Sequence, residues 1–234
     1  GASAARGAVK QKPEEGFEDW RKKNVVAQAQ QGRNIVKVPL FLGDIPAEVL
    51  RSLADVVASH GEGMLRATFA QNVVLRWVRD DELVDVHAEL SAIGLADVEA
   101  PVLRNMVACA GASTCRLGIC LSRGLVTAMG EALSKSDLDL DAIGDLKINV
   151  SGCPNSCGRH PIGQIGFFGA ARRVQGQPIP HYVVVLGGRV REGETKLAEG
   201  KTTIPARNIP GFVVDLLEAF VASIHSPDFD AFLE

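Results

Sequence analysis

All five cysteines of this chain fall between residues 109 and 157, in two groups: Cys109, Cys115 and Cys120 in one segment, Cys153 and Cys157 in another. This placement constrains the fold more than any other feature, because the elements between the groups must bring them together if the thiols act as one set. Among 234 residues that show no export-like start, such clustering points to metal ligation or plain core positions rather than to a disulfide frame. The rest of the composition is ordinary. Apolar residues make up 46% and charged residues 23%, which excludes wholesale disorder and a collagen-like or coiled-coil chain. A net charge of −3 gives no reason to expect a nucleic-acid partner or a polybasic membrane anchor. No apolar run approaches the roughly 20 residues that span a bilayer, so the chain reads as soluble and cytoplasmic, without a membrane partner. It opens Gly1-Ala2-Ser3 with no initiator Met, from which a piece of something longer is expected.

Periodicity divides the chain. Residues 1–12 are small, basic and unpatterned, and little order is expected there. A helix is expected over residues 17–31, stopped by Gly32, and Val36, Val38, Leu40 and Leu42 then alternate as a half-buried strand does. Asp44 is placed to cap a helix striped by Val49, Leu50, Leu53, Val56 and Val57. Strands over residues 64–70 and 73–78 flank a Gln71-Asn72 turn, and a helix from Asp81 to Gly94 buries Leu83, Val86, Leu90 and Ile93. The order strand, helix, strand, strand, helix is most of a ferredoxin-like unit. Past Pro101, Gly and Ser become commoner. A helix over residues 117–133, strands at 146–150, 164–169 and 182–186, an exposed loop at 187–207 and a final helix at 212–224 are expected. The fold class is therefore α+β, with an N-terminal extension carrying a helix (1–33), a ferredoxin-like half-domain (34–100) and an α/β cysteine-bearing domain (101–234).

The chemistry lies in Cys109-Ala-Gly-Ala-Ser-Thr-Cys115 and Gly152-Cys153-Pro154-Asn155-Ser156-Cys157-Gly158. Four thiolates spaced C-x5-C and C-x3-C can surround one metal centre. Structural zinc favours shorter knuckles, whereas 4Fe-4S clusters accept four thiolates at varied spacings and hydrogen bonds from backbone N–H groups. Small residues at 111–113 let the backbone come close, and Cys153-Pro154 reads as a helix start whose positive end would face an anionic cluster. Another metal, or unligated thiols, stays open at this point. Cys120 lies outside the pattern and reads as a small buried hydrophobe in a helix.

These paired motifs resemble the signature of the sirohaem-dependent nitrite and sulfite reductases. Arg66-Ala67-Thr68 with Gln71-Asn72, Ile165-Gly166-Phe167-Phe168-Gly169 and Leu186-Gly187-Gly188 are similar to further landmarks of that family, so the resemblance covers residues 17–224. It implies a 4Fe-4S cluster held by Cys109, Cys115, Cys153 and Cys157, and sirohaem joined to the cluster through Cys157. It also implies six-electron reduction of nitrite to ammonia or of sulfite to sulfide. Asn155, Arg66, Gln71 and Asn72 fall where the family contacts its tetrapyrrole. Arg116, Arg159 and His160 neighbour the cysteines, and Lys147 lies on the strand leading to Gly152. Charge agrees with anionic ligands: ten basic against five acidic residues leave +5 in residues 101–191, so the remainder carries −8. His60, His87, His181 and His225 show no ligand spacing.

Members of the family carry two tandem copies of this module, and the chain resembles the second, cluster-bearing one. Either a preceding homologous half is missing, or a one-copy form completes its site alone or with a second copy. Electrons are expected from an external ferredoxin or flavoprotein, since no G-x-G-x-x-G fingerprint follows a strand. Two other readings are an iron–sulfur electron-transfer module without sirohaem and a related tetrapyrrole-processing oxygenase.

Overall fold

Tight turns at glycine and runs of β-branched residues set where the elements start and stop in the computed structural model, which describes residues 14–223, 226 and 228–233. The expected lead-in and His225 lie outside them. The chain divides into two compact units that part between Glu99 and Ala100.

In the first unit, α1 (Phe17–Asn24) is followed directly by β1 (Val25–Ala27), then β2 (Arg33–Val38), α2 (Ala47–Ser59), β3 (Leu65–Ala67), β4 (Val73–Arg79) and α3 (Leu83–Ala92). The strands form one antiparallel sheet in the order β1-β2-β4-β3. The expected helix over 17–31 is thus too long. It stops where Val25 and Val26 favour extended backbone, and the Asn24 side chain donates to the Asp97 carbonyl at 2.7 Å. Nor is α1 an appendage to this unit, because Phe17 and fully buried Trp20 share its core with Leu53, Val56, Val57, Val36, Val38, Leu75, Val78, Val86 and Leu90. The α2 cap position is Pro46, with no side-chain cap, so Asp44 does not have the role the sequence suggested.

The second unit holds α4 (Pro101–Arg104), β5 (Val107–Ala108), α5 (Ser122–Ser134), α6 (Leu140–Ile143), β6 (Ile148–Ser151), β7 (Ile165–Val174), β8 (Gln177–Leu186), β9 (Glu199–Pro205), α7 (Ile209–Ala222) and α8 (Phe229–Phe232). Its five-stranded sheet runs β5-β6-β7-β8-β9, with β5, β6 and β7 parallel and the rest antiparallel. Val126, Met129 and Leu133 of α5 and Val213 and Leu217 of α7 are buried with Ile148, Val150, Ile165, Phe167 and Val184 of the sheet. Two expectations change. The loop at 187–207 contains β9, an edge strand whose Lys201, Thr202 and Thr203 are too polar to show an apolar period. No helix starts at Cys153-Pro154; residues 152–159 turn instead, with Ser156 and Arg159 in the left-handed region, so no helix end faces the thiols there.

Candidate cluster site

The two cysteine groups leave the sheet at one edge because β5 and β6 are parallel neighbours, with Ala108 opposite Val150. Cys109 follows β5 and donates its N–H to the Val150 carbonyl at 3.1 Å. Cys153 stands two residues beyond β6. Connections that leave the carboxyl ends of adjacent parallel strands open a crevice, the usual place for a ligand in such sheets.

Glycines let the loops touch backbone to backbone. A Cβ on Gly152 would lie 2.7 Å from the Gly111 Cα and 2.8 Å from the Cys120 carbonyl. Gly111 itself has φ +61°, and a Cβ there would meet the Ser122 hydroxyl at 2.4 Å. The Gly152 carbonyl accepts from the N–H groups of Ile119 and Cys120, both at 2.9 Å. In return the Gly152 N–H donates to Cys109 Sγ at 3.1 Å, and the Ser122 hydroxyl donates to the Cys109 carbonyl at 2.7 Å. Ser151 Oγ accepts from the Gly158 N–H at 3.1 Å and meets His160 Nδ1 at 2.9 Å, while the His160 ring stacks 4.7 Å from Phe168. Ser122, Ser151 and the packed glycines hold the loops; the small residues at 111–113 signalled a close backbone approach, but nothing in the sequence marked Ser122, Ser151 or the partner Gly152.

Cys153 is buried, Cys109 half-buried, and Cys115 and Cys157 exposed, all as free thiols. Among the described residues no three His, Cys, Asp or Glu side chains gather closely enough to hold a single ion. A four-iron cluster takes one thiolate per iron, so its ligands ring something larger than one ion. Free thiols on two joined loops, with a backbone N–H already aimed at one sulfur, fit that group. Cys120 differs from the rest. It is 2% exposed, its thiol donates to the Ala170 and His181 carbonyls at 3.5 and 3.4 Å, and burial pushes its pKa up. It precedes α5 rather than lying in it, because the close-packed Gly118 keeps residues 117–121 in a loop.

The other sequence candidates separate by location. Asn155 is exposed between Cys153 and Cys157, and Arg116 is exposed beside Cys115. Arg159 is half-buried, its carbonyl accepts from Asn149 Nδ2 at 2.8 Å, and burial lowers its guanidinium pKa. Lys147 precedes β6 and so stands at the opposite edge of the sheet from the cysteines; its N–H donates to Gln164 Oε1 at 3.2 Å. Arg66, Gln71 and Asn72 belong to the first unit. Arg66 is paired to Glu62 through two bonds of 2.9 and 3.1 Å, which holds the carboxyl below its usual range. Gln71 takes φ +60° in the β3–β4 turn, and Asn72 Oδ1 accepts from the Leu40 N–H at 2.8 Å.

The fold and these loops define an iron–sulfur protein of two units, one ferredoxin-like and one bearing the cluster. Residues 27–93 match the nitrite/sulfite reductase ferredoxin-like half domain and residues 99–225 the nitrite and sulphite reductase 4Fe-4S domain, and the chain belongs to this family. The matched domain makes a 4Fe-4S cluster its cofactor. The chain is 30% identical over 212 residues to a ferredoxin–nitrite reductase of Synechococcus elongatus, covering 89% of this chain and 41% of that protein. It is 32% identical over 186 residues to sulfite reductase [ferredoxin] 2 of Mycolicibacterium paratuberculosis, covering 76% of this chain and 33% of that one. The solved structure of the Mycobacterium tuberculosis NirA protein aligns with a TM-score of 0.75 at 26% identity, over 90% of this chain and 39% of NirA. The chain therefore spans only a third to about two-fifths of the length of these relatives.

Proposed function

We propose that this chain is the cluster-bearing half of a sirohaem- and 4Fe-4S-dependent reductase that takes nitrite to ammonia or sulfite to sulfide, with electrons from an external ferredoxin or flavoprotein. The observation that carries this reading is the joining of the Cys109–Cys115 and Cys153–Cys157 loops, through Gly111 and Gly152, at the carboxyl ends of β5 and β6. Cys109, Cys115, Cys153 and Cys157 are assigned as cluster ligands, with Cys157 as the thiolate shared with the tetrapyrrole iron.

When bound, the two groups supply single-electron storage and an iron at which the oxyanion is reduced. The chain's residues prepare that place. The Gly152 N–H spreads the charge of the Cys109 thiolate, which favours the more negative, reduced state. Cys157 is exposed, so its sulfur is accessible to a second group. Arg116, Arg159 and Asn155 offer donors to carboxylates and oxyanions at the same edge. Arg66, Gln71 and Asn72 are assigned further contacts from the first unit. Asn72 would make its contact through the side-chain N–H groups, because its oxygen is taken.

The test is the absorption spectrum of anaerobically purified protein offered sirohaem. The expected result is sirohaem bands beside broad cluster absorption, with equal iron and labile sulfide apart from the sirohaem iron. Cluster absorption alone would favour the electron-transfer module, and absence of any cluster would reject both readings. Cys157→Ser should abolish the electronic coupling between the two groups; unchanged coupling rejects the bridge assignment.

A further inference from the structure

The β7–β8 ribbon outruns its neighbours. β6 ends where Ser151 faces Phe168, and β9 pairs no farther along β8 than His181, yet β7 and β8 continue together from Ala171 opposite Pro180 to Val174 opposite Gln177. Because β7 is parallel to β6, the free ribbon leaves the sheet at the edge that bears the cysteine loops. Six residues beyond Phe168, at about 3.3 Å each, carry it roughly 20 Å past the end of β6. Residues 171–180 are all exposed.

Such a ribbon gains little from its own pairing, so its side chains need another reason. Val174 and Ile179 are 51% and 37% exposed, and Arg172 and Arg173 meet no carboxylate among the described residues. Pro178 and Pro180 remove N–H donors from β8, so a partner there meets side chains rather than adding a strand. Residues 146–191 contain no Asp or Glu, nor do residues 100–130; the five acidic residues of 101–191 all lie between 131 and 145. Those run from the last turn of α5 through α6 and its flanking turns, before β6 begins and so away from the cysteine edge. The base of the ribbon is fixed to the cysteine loops, since a Cβ on Gly169 would lie 2.2 Å from the Gly152 carbonyl and the Cys120 thiol bonds the Ala170 carbonyl.

We infer that this ribbon is a docking arm for a small acidic electron-donor protein of the ferredoxin class. Arg172 shares one face of the ribbon with Val174 and Ile179, where it holds the donor's carboxylates beside their apolar contact, and Arg173 on the other face adds to the positive field that draws the donor in. This rests on the redox reading proposed above. One electron leaves the reduced donor and one enters the cluster; no bond forms or breaks, and the arm's part is placement.

The test uses the full chain and a [2Fe-2S] ferredoxin of net negative charge, with its dissociation constant measured at low and high salt. In the double variant Arg172→Glu, Arg173→Glu the affinity should fall by about tenfold or more and the salt dependence should flatten. Cluster absorption and its reduction by dithionite should not change. Replacement of residues 172–179 by Asn-Gly should give the same loss. Unchanged ferredoxin affinity in both variants overturns the inference, as does equal weakening by Lys147→Glu, a change at the opposite edge of the sheet. Ferredoxin binding is read whether or not the chain holds a cluster. Failure here is therefore separable from failure of the proposed function, which the spectrum of the unaltered protein decides.

Discussion

At Gly152 one methyl group decides whether the two cysteine loops can meet. The Gly111 Cα and the Cys120 carbonyl, both backbone, stand where a Cβ would go, so neither can turn aside as a flexible side chain would. Gly152→Ala should cost about 3 kcal/mol in the second unit, by forced overpacking. It should also lower the iron and sulfide retained after anaerobic purification, which metal analysis beside a thermal melt would show. His87 makes a different point. Its ring packs 5.0 Å from Trp20 and 5.5 Å from Phe17, and burial pushes its pKa below the usual imidazole range, partly opposed by Glu14. The unfolded chain then binds the proton more readily than the folded one. Stability is full above about pH 6.5 and falls as pH drops through that value toward the lower folded pKa. Both tryptophans, Trp20 and Trp77, lie in the first unit. A urea midpoint followed by tryptophan fluorescence should therefore decline from pH 7 to pH 5, and His87→Phe should flatten that decline.

Among the elements, α1 shows most plainly what tertiary packing adds to local pattern. Its eight residues are too few to hold a helix alone, so Phe17 and Trp20 must anchor it against the sheet and α3. Trp20→Ala should destabilise the first unit by about 3–5 kcal/mol in urea titrations, whereas exposed Lys22→Ala should change it by less than about 0.5 kcal/mol. The core helices and central strands were legible in the sequence because their apolar residues recur at regular intervals: Leu53, Val56 and Val57 on α2, Val73 to Val78 on β4. Where the period vanishes, so does the signal. β9 has a single aliphatic side chain, Ile204, near its end, and the outer halves of β7 and β8 are exposed throughout, so the strands expected at 164–169 and 182–186 were too short. The end of α1 was lost because its last turn runs into a strand with no glycine or proline between them. At the site, the four thiols were legible by spacing, but Ser122, Ser151 and the Gly111–Gly152 contact were not, since close approach of two backbones leaves no periodic mark.

For the whole molecule, the sheet brings Cys109 and Cys153, 44 positions apart in sequence, to one edge, and it does so by placing β5 beside β6. If that edge works as a single centre, the cysteines must divide by place and not by burial. Cys153 and Cys120 are both buried, yet the first sits on the joined loops and the second is tied to the Ala170 and His181 carbonyls. Serine at Cys109, Cys115, Cys153 or Cys157 should each strip or sharply reduce the cluster absorption, because three remaining thiolates leave one iron without its ligand. Alanine at Cys120 should leave the absorption intact, because its thiol is held by weak hydrogen bonds to the Ala170 and His181 carbonyls that nearby backbone can forgo. The measurement is visible absorption with iron and sulfide content across all five variants, and circular dichroism to confirm that each still folds. Loss of the cluster in the Cys120 variant together with retention in the Cys115 or Cys157 variant would move the centre off this edge, and the reductase assignment would go with it.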